Sequence, residues 1–283
     1  MDMKKQGVLL ILLCFVWSTA GCGERYTEPA YSQEETLVRG EDSLSPHTGA
    51  LVTLDTERLS SEQVVWGPGR ETDDENRPTA CVDLQEKYGR YGAVFLTDED
   101  GICLTFDEGY ENGYTASILD TLQEEQVSAV FFVTLDYVKK EPELVRRMID
   151  EGHVIGNHTA YHPNMTQVSL DKAQENIQIL HDYVRENFDY TMTLFRNPEG
   201  AFSEQVLAMT REMGYKSVLW SFAYNDWNVQ EQPNPENALK KLTDRMHPGA
   251  VYLLHAVSRT NDQILQQWIQ NAKAAGYEFI LLS

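Results

Sequence analysis

Two carboxylates, Asp107 and Glu108, stand side by side in LTFDEGYENGYT, where an apolar run meets a glycine-containing turn. Adjacent acids repel, and a bound cation offsets the repulsion while favouring ionisation of both. Further along, HTAYH places His158 and His162 four residues apart, a spacing that lets two imidazoles face one cation. Two histidines and one carboxylate form a common catalytic zinc set that leaves a position open for water. A histidine pair at this spacing also occurs on plain surfaces; the acidic pair upstream favours the metal. One carboxylate would then bind the ion and the other would remain free as a base.

The elements that must position these residues follow a rhythm. From about Gly92 the chain alternates strand-like and helix-like segments: ICLTFD, VSAVFFVT, HVIGNH, TLFRNP, KSVLWS, AVYLLHA and YEFILL are separated by helical patterns. Ser169 is placed to cap one helix, and Pro142 sits in the first turn of another. Strict alternation argues for parallel α/β architecture. Without a glycine-rich dinucleotide fingerprint, the expectation is a distorted (β/α) barrel with about seven parallel strands. GAVFLTDEDGICLTFD, two apolar runs around Asp-Gly, suggests a hairpin at its start. Asp107, Glu108, His158, His162, Arg196, Asp226, Trp227 and His255 all fall at or just past a strand's carboxyl end, the address of barrel active sites. His153 reads as structural, His181 as solvated and His247 as a turn residue, while His47 lies in the polar N-terminal stretch. Tyr110, Tyr114 and Tyr161 suit either the wall of a ligand cleft or packing.

The 283 residues carry a formal net charge of -21, which argues against nucleic acid and anionic lipid as partners. Residues 1–21 read as an export signal, with Lys4 and Lys5 before an apolar run from Val8 to Trp17, far shorter than the ~20 residues of a membrane span. STAGC resembles a bacterial lipobox, which implies a lipid anchor at Cys22 and an extracytoplasmic, membrane-anchored protein. Residues 22–59 read as a flexible acidic tether and 60–92 as a lead-in packed on a main domain, 93–283. Cys81 and Cys103 could pair in an oxidising compartment or remain buried thiols. A monomer is expected.

TFDEGYENGYT, GHVIGNHTAYHP, FRNPEGAFSE, WSFAYNDW and YLLHAVSR, in this order, resemble the five motifs of the polysaccharide deacetylase family (NodB-homology domain, carbohydrate esterase family 4). FDEGYENGYT and LLHAVSR are most similar to the peptidoglycan N-acetylmuramic acid deacetylases that prepare the muramic δ-lactam of spore cortex. The resemblance implies a metal-dependent hydrolase, with Zn2+ the expected ion, acting on cell-wall glycan. It implies Asp107 as general base; Glu108, His158 and His162 as metal ligands; Arg196 as the partner of Asp107; and the Glu199 backbone N–H as an oxyanion donor. It also implies His255 as general acid, Asp226 as its orienting partner, and Glu199, Gly200 and Trp227 beside the substrate. Glu108 stands where aspartate is usual, and Asn197 and Glu199 also depart from the family pattern. A non-catalytic glycan-binding member and a deacetylase of N-acetylglucosamine polymers are the alternatives.

Overall fold

The computed structural model describes residues 56–282. The export signal, Cys22 and nearly all of the proposed tether lie outside the described residues.

Eight parallel strands form the sheet: β1 (Ala93–Val94), β2 (Ile102–Glu108), β3 (Val130–Val133), β4 (Val154–Asn157), β5 (Leu194–Phe195), β6 (Lys216–Val218), β7 (Ala250–His255) and β8 (Phe279–Ile280). Their order is β1-β6-β5-β4-β3-β2-β7, with β8 also pairing β2. The ladder is not closed. The chain leaving β6 bridges the gap: Leu219 N–H donates to Val94 O, then Ser221 N–H donates to Val251 O and Leu253 N–H to Phe222 O. The predicted hairpin does not form. β1 pairs with β6 in register Ala93↔Ser217, while β2 lies between β3 and β7, so the Asp-Gly segment joins two separate parallel strands.

The intervening helices are α1 (Thr79–Tyr88), α2 (Thr115–Glu124), α3 (Leu135–Lys140), α4 (Pro142–Asp150), α5 (Leu170–Phe188), α6 (Glu204–Glu212), α7 (Pro235–Asp244) and α8 (Arg259–Ala274). Side-chain oxygens of Thr134, Ser169, Ser203, Asn234 and Ser258 accept a backbone N–H in the first turn of α3, α5, α6, α7 and α8. Each cap satisfies a donor that a helix start otherwise leaves orphaned, and so fixes where a strand-end loop stops.

The sheet separates two apolar layers. Leu104 and Phe106 of β2 join Phe131, Ile118, Leu122, Val145, Ile177 and Trp268 in the layer beneath the helices. Cys103 joins Val130, Phe132, Leu194, Val218 and Val251 on the inner face. Strand side chains alternate between faces, so Cys103, Thr105 and Asp107 share the inner face, and Leu104, Phe106 and Glu108 the outer one.

The lead-in contributes a third cluster. Trp66 lies against Phe95 and Trp220, with ring centroids at 5.1 and 4.9 Å, and its Nε1–H donates to Gly200 O at 2.8 Å. Cys81 and Cys103 are both free and buried, and burial pushes the Cys81 thiol up to about 12 and the Cys103 thiol to about 11.

Candidate active site

Arg196, at the end of β5, is fully buried. Its Nη1 donates to Asp107 Oδ1 and to Thr105 Oγ1, both at 2.8 Å. Its Nε donates to Val218 O at 2.9 Å and its Nη2 to Leu219 O at 3.1 Å, while the guanidinium lies 4.2 Å from the centroid of Phe132. A charge-assisted hydrogen bond of this kind favours the carboxylate form of its acceptor. Burial works against ionisation of Asp107, but the charges of Arg196, His158 and His255 outweigh it and hold the carboxyl below its ordinary value.

Asp226, fully buried, orients His255. It accepts the His255 backbone N–H on Oδ2 and contacts His255 Nδ1 through Oδ1, both at 2.8 Å. Asn261 Nδ2 donates to Asp226 Oδ2 at 2.6 Å and to His255 O at 3.1 Å, and Tyr224 Oη donates to Asn261 Oδ1. Burial disfavours the imidazolium, yet the Asp226 hydrogen bond and charge win and raise the His255 pKa above its ordinary 6.5. Since Nδ1 is engaged, Nε2 is the nitrogen left to act. Asp107 and His255 are partners in the β2–β7 register.

His158 and His162 meet edge to face, with ring centroids 4.8 Å apart. His158 is buried, its Nδ1 is 2.9 Å from Arg196 O, and burial pushes its pKa down to about 4, so the ring is neutral at pH 7. A neutral imidazole is the form that binds metal. Its Nε2 lies 3.6 Å from Asp107 Oδ2. His162 has φ +54 and is held by a bond from its N–H to Thr159 Oγ1 at 2.9 Å.

Glu108 does not join them. One residue after Asp107 on the same strand, it turns to the opposite face, where it is fully buried and both carboxylate oxygens lack a hydrogen-bond partner. Burial first, then the charges of Glu111 and Asp107, raise its pKa well above its ordinary value. Among the described residues no three His, Cys, Asp or Glu side chains are arranged to hold a metal ion. The expected ligand trio of Glu108, His158 and His162 therefore does not fit. The imidazole pair is assembled and its carboxylate is not.

The turn after β5 fits the expected backbone donor. Glu199 has φ +60, and its N–H has no acceptor among the described residues. Gly200 follows at φ +65, and a Cβ there would lie 2.5 Å from Trp220, so only glycine fits. Asn197 is buried with neither side-chain polar atom partnered. Trp227, Tyr110 and Tyr161 stand exposed on strand-end loops, while Tyr114 is half-buried against the outer core.

Other histidines play structural parts. His153 Nδ1 accepts the Ala129 N–H at 3.1 Å, and His247 Nδ1 lies 2.9 Å from Pro248 O. His181, expected to be solvated, is half-buried against Tyr215 Oη at 2.5 Å. Sequence reasoning missed Asn261, Tyr224 and Gln232, which hold Asp226 and its loop, and missed Thr105, whose signal was its shared strand face with Asp107.

Residues 96–218 match the family profile Polysaccharide deacetylase. The chain is 40% identical to the peptidoglycan-N-acetylmuramic acid deacetylase PdaA of Bacillus subtilis (strain 168) over 226 residues, 79% of this chain and 86% of that protein. A structure of Bacillus subtilis PdaA, a family 4 carbohydrate esterase, superposes with a TM-score of 0.73 at 39% identity, covering 78% of this chain and 95% of that one. A family 4 carbohydrate esterase from Bacillus anthracis gives 0.64 at 37% identity, covering 79% and 95%. Motif order, fold and relatedness agree, and the chain belongs to the polysaccharide deacetylase family.

Proposed function

We propose that this protein removes N-acetyl groups from amino sugars of peptidoglycan, with N-acetylmuramic acid as its sugar. The observation that carries the reading is the pair Asp107 and His255, set opposite one another with pKa values pushed apart. Asp107 is held ionised by Arg196, and His255 is held towards imidazolium by Asp226. Groups separated in this way take the base and acid roles. Asp107 accepts a proton from water as the water oxygen adds to the acetamide carbon. The Glu199 N–H receives the developing oxyanion. His255 Nε2 gives its proton to the nitrogen as the C–N bond breaks, leaving acetate and a free amine. Trp227, Tyr110 and Tyr161 offer exposed aromatic faces to sugar rings.

A divalent cation, Zn2+ by family expectation, would polarise the carbonyl and acidify water. His158 and His162 are the residues available to it, and no step above depends on it.

Glu108's position favours a second reading, a non-catalytic member that binds wall glycan through the same cleft. Incubation with purified peptidoglycan, followed by acetate assay and mass spectrometry for acetyl loss and lactam formation, separates the two. Acetate release supports the enzyme, and glycan binding without it supports the binder. The proposed export and anchoring at Cys22 predict membrane partitioning, and Cys22→Ala should become soluble or stay unprocessed; equal partitioning of both forms removes that claim.

A further inference from the structure

A cleft of about 370 Å³ lies among the segments that follow β2, β6 and β7, which continue the chain from Asp107, through Asp226, and from His255. Its walls include Asn112, Tyr114, Gln230, Glu231, Gln232 and Arg259. The loops are tied together. Asn112 Nδ2 donates to Val257 O at 2.9 Å, and Gln232 Nε2 donates to Asp226 O at 3.0 Å. Gln232 Oε1 accepts Ser258 Oγ–H at 2.8 Å and the Thr260 N–H at 3.1 Å. The backbone is thus fixed on both sides of Arg259.

The Arg259 side chain is exposed and makes no hydrogen bond or ion pair among the described residues. Arg77, Arg147, Arg185 and Arg196, by contrast, are all engaged with carboxylates. The chain has 44 acidic residues against 23 Lys and Arg. An uncommitted guanidinium in the first turn of α8, four residues after His255, is therefore conspicuous. Glu231 borders the same cleft, yet no ion pair within 4.0 Å joins it to Arg259.

Muramic acid differs from glucosamine by a 3-O-lactyl ether that ends in a carboxylate, one bond sequence away from the 2-acetamido group. Arginine's planar fork matches a carboxylate with two parallel N–H donors. Resting on the deacetylase reading, we propose that Arg259 is a specificity-determining residue: it receives the free lactyl carboxylate of an N-acetylmuramic acid unit while Asp107 and His255 act on the adjacent acetamide. Glu231 tempers the site's attraction for anions in general.

Three substrates test this: a peptide-free N-acetylmuramic acid glycan, the same glycan with its lactyl carboxyl converted to a neutral amide, and an N-acetylglucosamine oligomer. Arg259→Ala is expected to lower kcat/KM on the first by roughly 10- to 100-fold, the range of a charge-assisted hydrogen bond. It should leave the other two within about twofold, and Arg259→Lys should recover part of the loss. Equal losses on all three substrates, or none on the first, overturn the proposal; a thermal melt checks that each variant is folded. If wild type releases acetate from none of them, the deacetylase reading fails and calorimetric binding decides the matter for Arg259. Binding of the carboxylate glycan that Arg259→Ala weakens and amidation abolishes keeps the assignment. Binding indifferent to both refutes it.

Discussion

Asp107 and His255 sit opposite one another on adjacent parallel strands, each with its own buried partner behind it, Arg196 for the first and Asp226 for the second. Neither partner touches the other's residue, but the two states support each other: the His255 charge helps hold Asp107 ionised, and the Asp107 charge helps hold His255 protonated. Asp107→Asn and His255→Ala should each reduce acetate release by roughly a hundredfold or more. Steady-state kinetics on peptidoglycan checks this; a loss below tenfold for either would remove it from the proton-transfer steps.

Asp226→Asn keeps the shape of the His255 partner and removes its charge. His255 has a raised pKa, so the acid is protonated at low pH and lost as pH rises through that value, giving the alkaline limb of the rate profile. The variant's limb should move to lower pH, because the charge that raises the His255 pKa is gone. The acid limb, set by Asp107 below its ordinary 3.8, should stay in place. A pH profile of kcat/KM reads both limbs at once.

Arg196→Ala should destabilise the fold by about 3–5 kcal/mol, the usual effect of stranding one member of a buried ion pair. Chemical denaturation measures it. Asp107 loses its main stabilising charge in this variant, so the acid limb of the rate profile should rise.

Glu108 carries the opposite expectation. Its folded pKa is raised, so the folded state binds the proton more tightly than the unfolded state. Its contribution is favourable below about 4.5 and is lost as pH climbs towards the folded value. Glu108→Gln should therefore melt a few degrees above wild type at pH 8, with a smaller gap at pH 4.5. Zinc uptake should be unchanged in Glu108→Gln and reduced in His158→Ala, as read by elemental analysis. Zinc loss in Glu108→Gln would restore it as a ligand.

Much of the site was legible because strand ends are readable. Alternating apolar runs located β2, β4, β5 and β7, and the polar residue closing each run fell at the same end of the sheet. The hairpin error has a plain cause. An Asp-Gly between two apolar runs looks the same locally whether the strands pair with each other or with distant partners, and β1 finds its partner at Ser217 and Val218. The Glu108 error came from letting motif position outrank the two-residue period of a strand; Cys103, Thr105 and Asp107 share a face, which already sends the next residue to the other. Asn261 and Gln232 were hidden because they act from a helix and a loop, where no periodicity marks which polar side chain turns inward.

Arg196 also fixes when the protein can become active. Its four acceptors come from β2, the tip of β6 and the residue beyond it, and its bond to Asp107 spans 89 positions of chain. A chain emerging from its amino terminus holds Asp107 long before it holds the strands that charge it, and His255 later still. Contacts so distant in sequence form late in folding. A partly translated chain would have its first motif in hand but no working base, so activity switches on only when the last third of the sequence has docked.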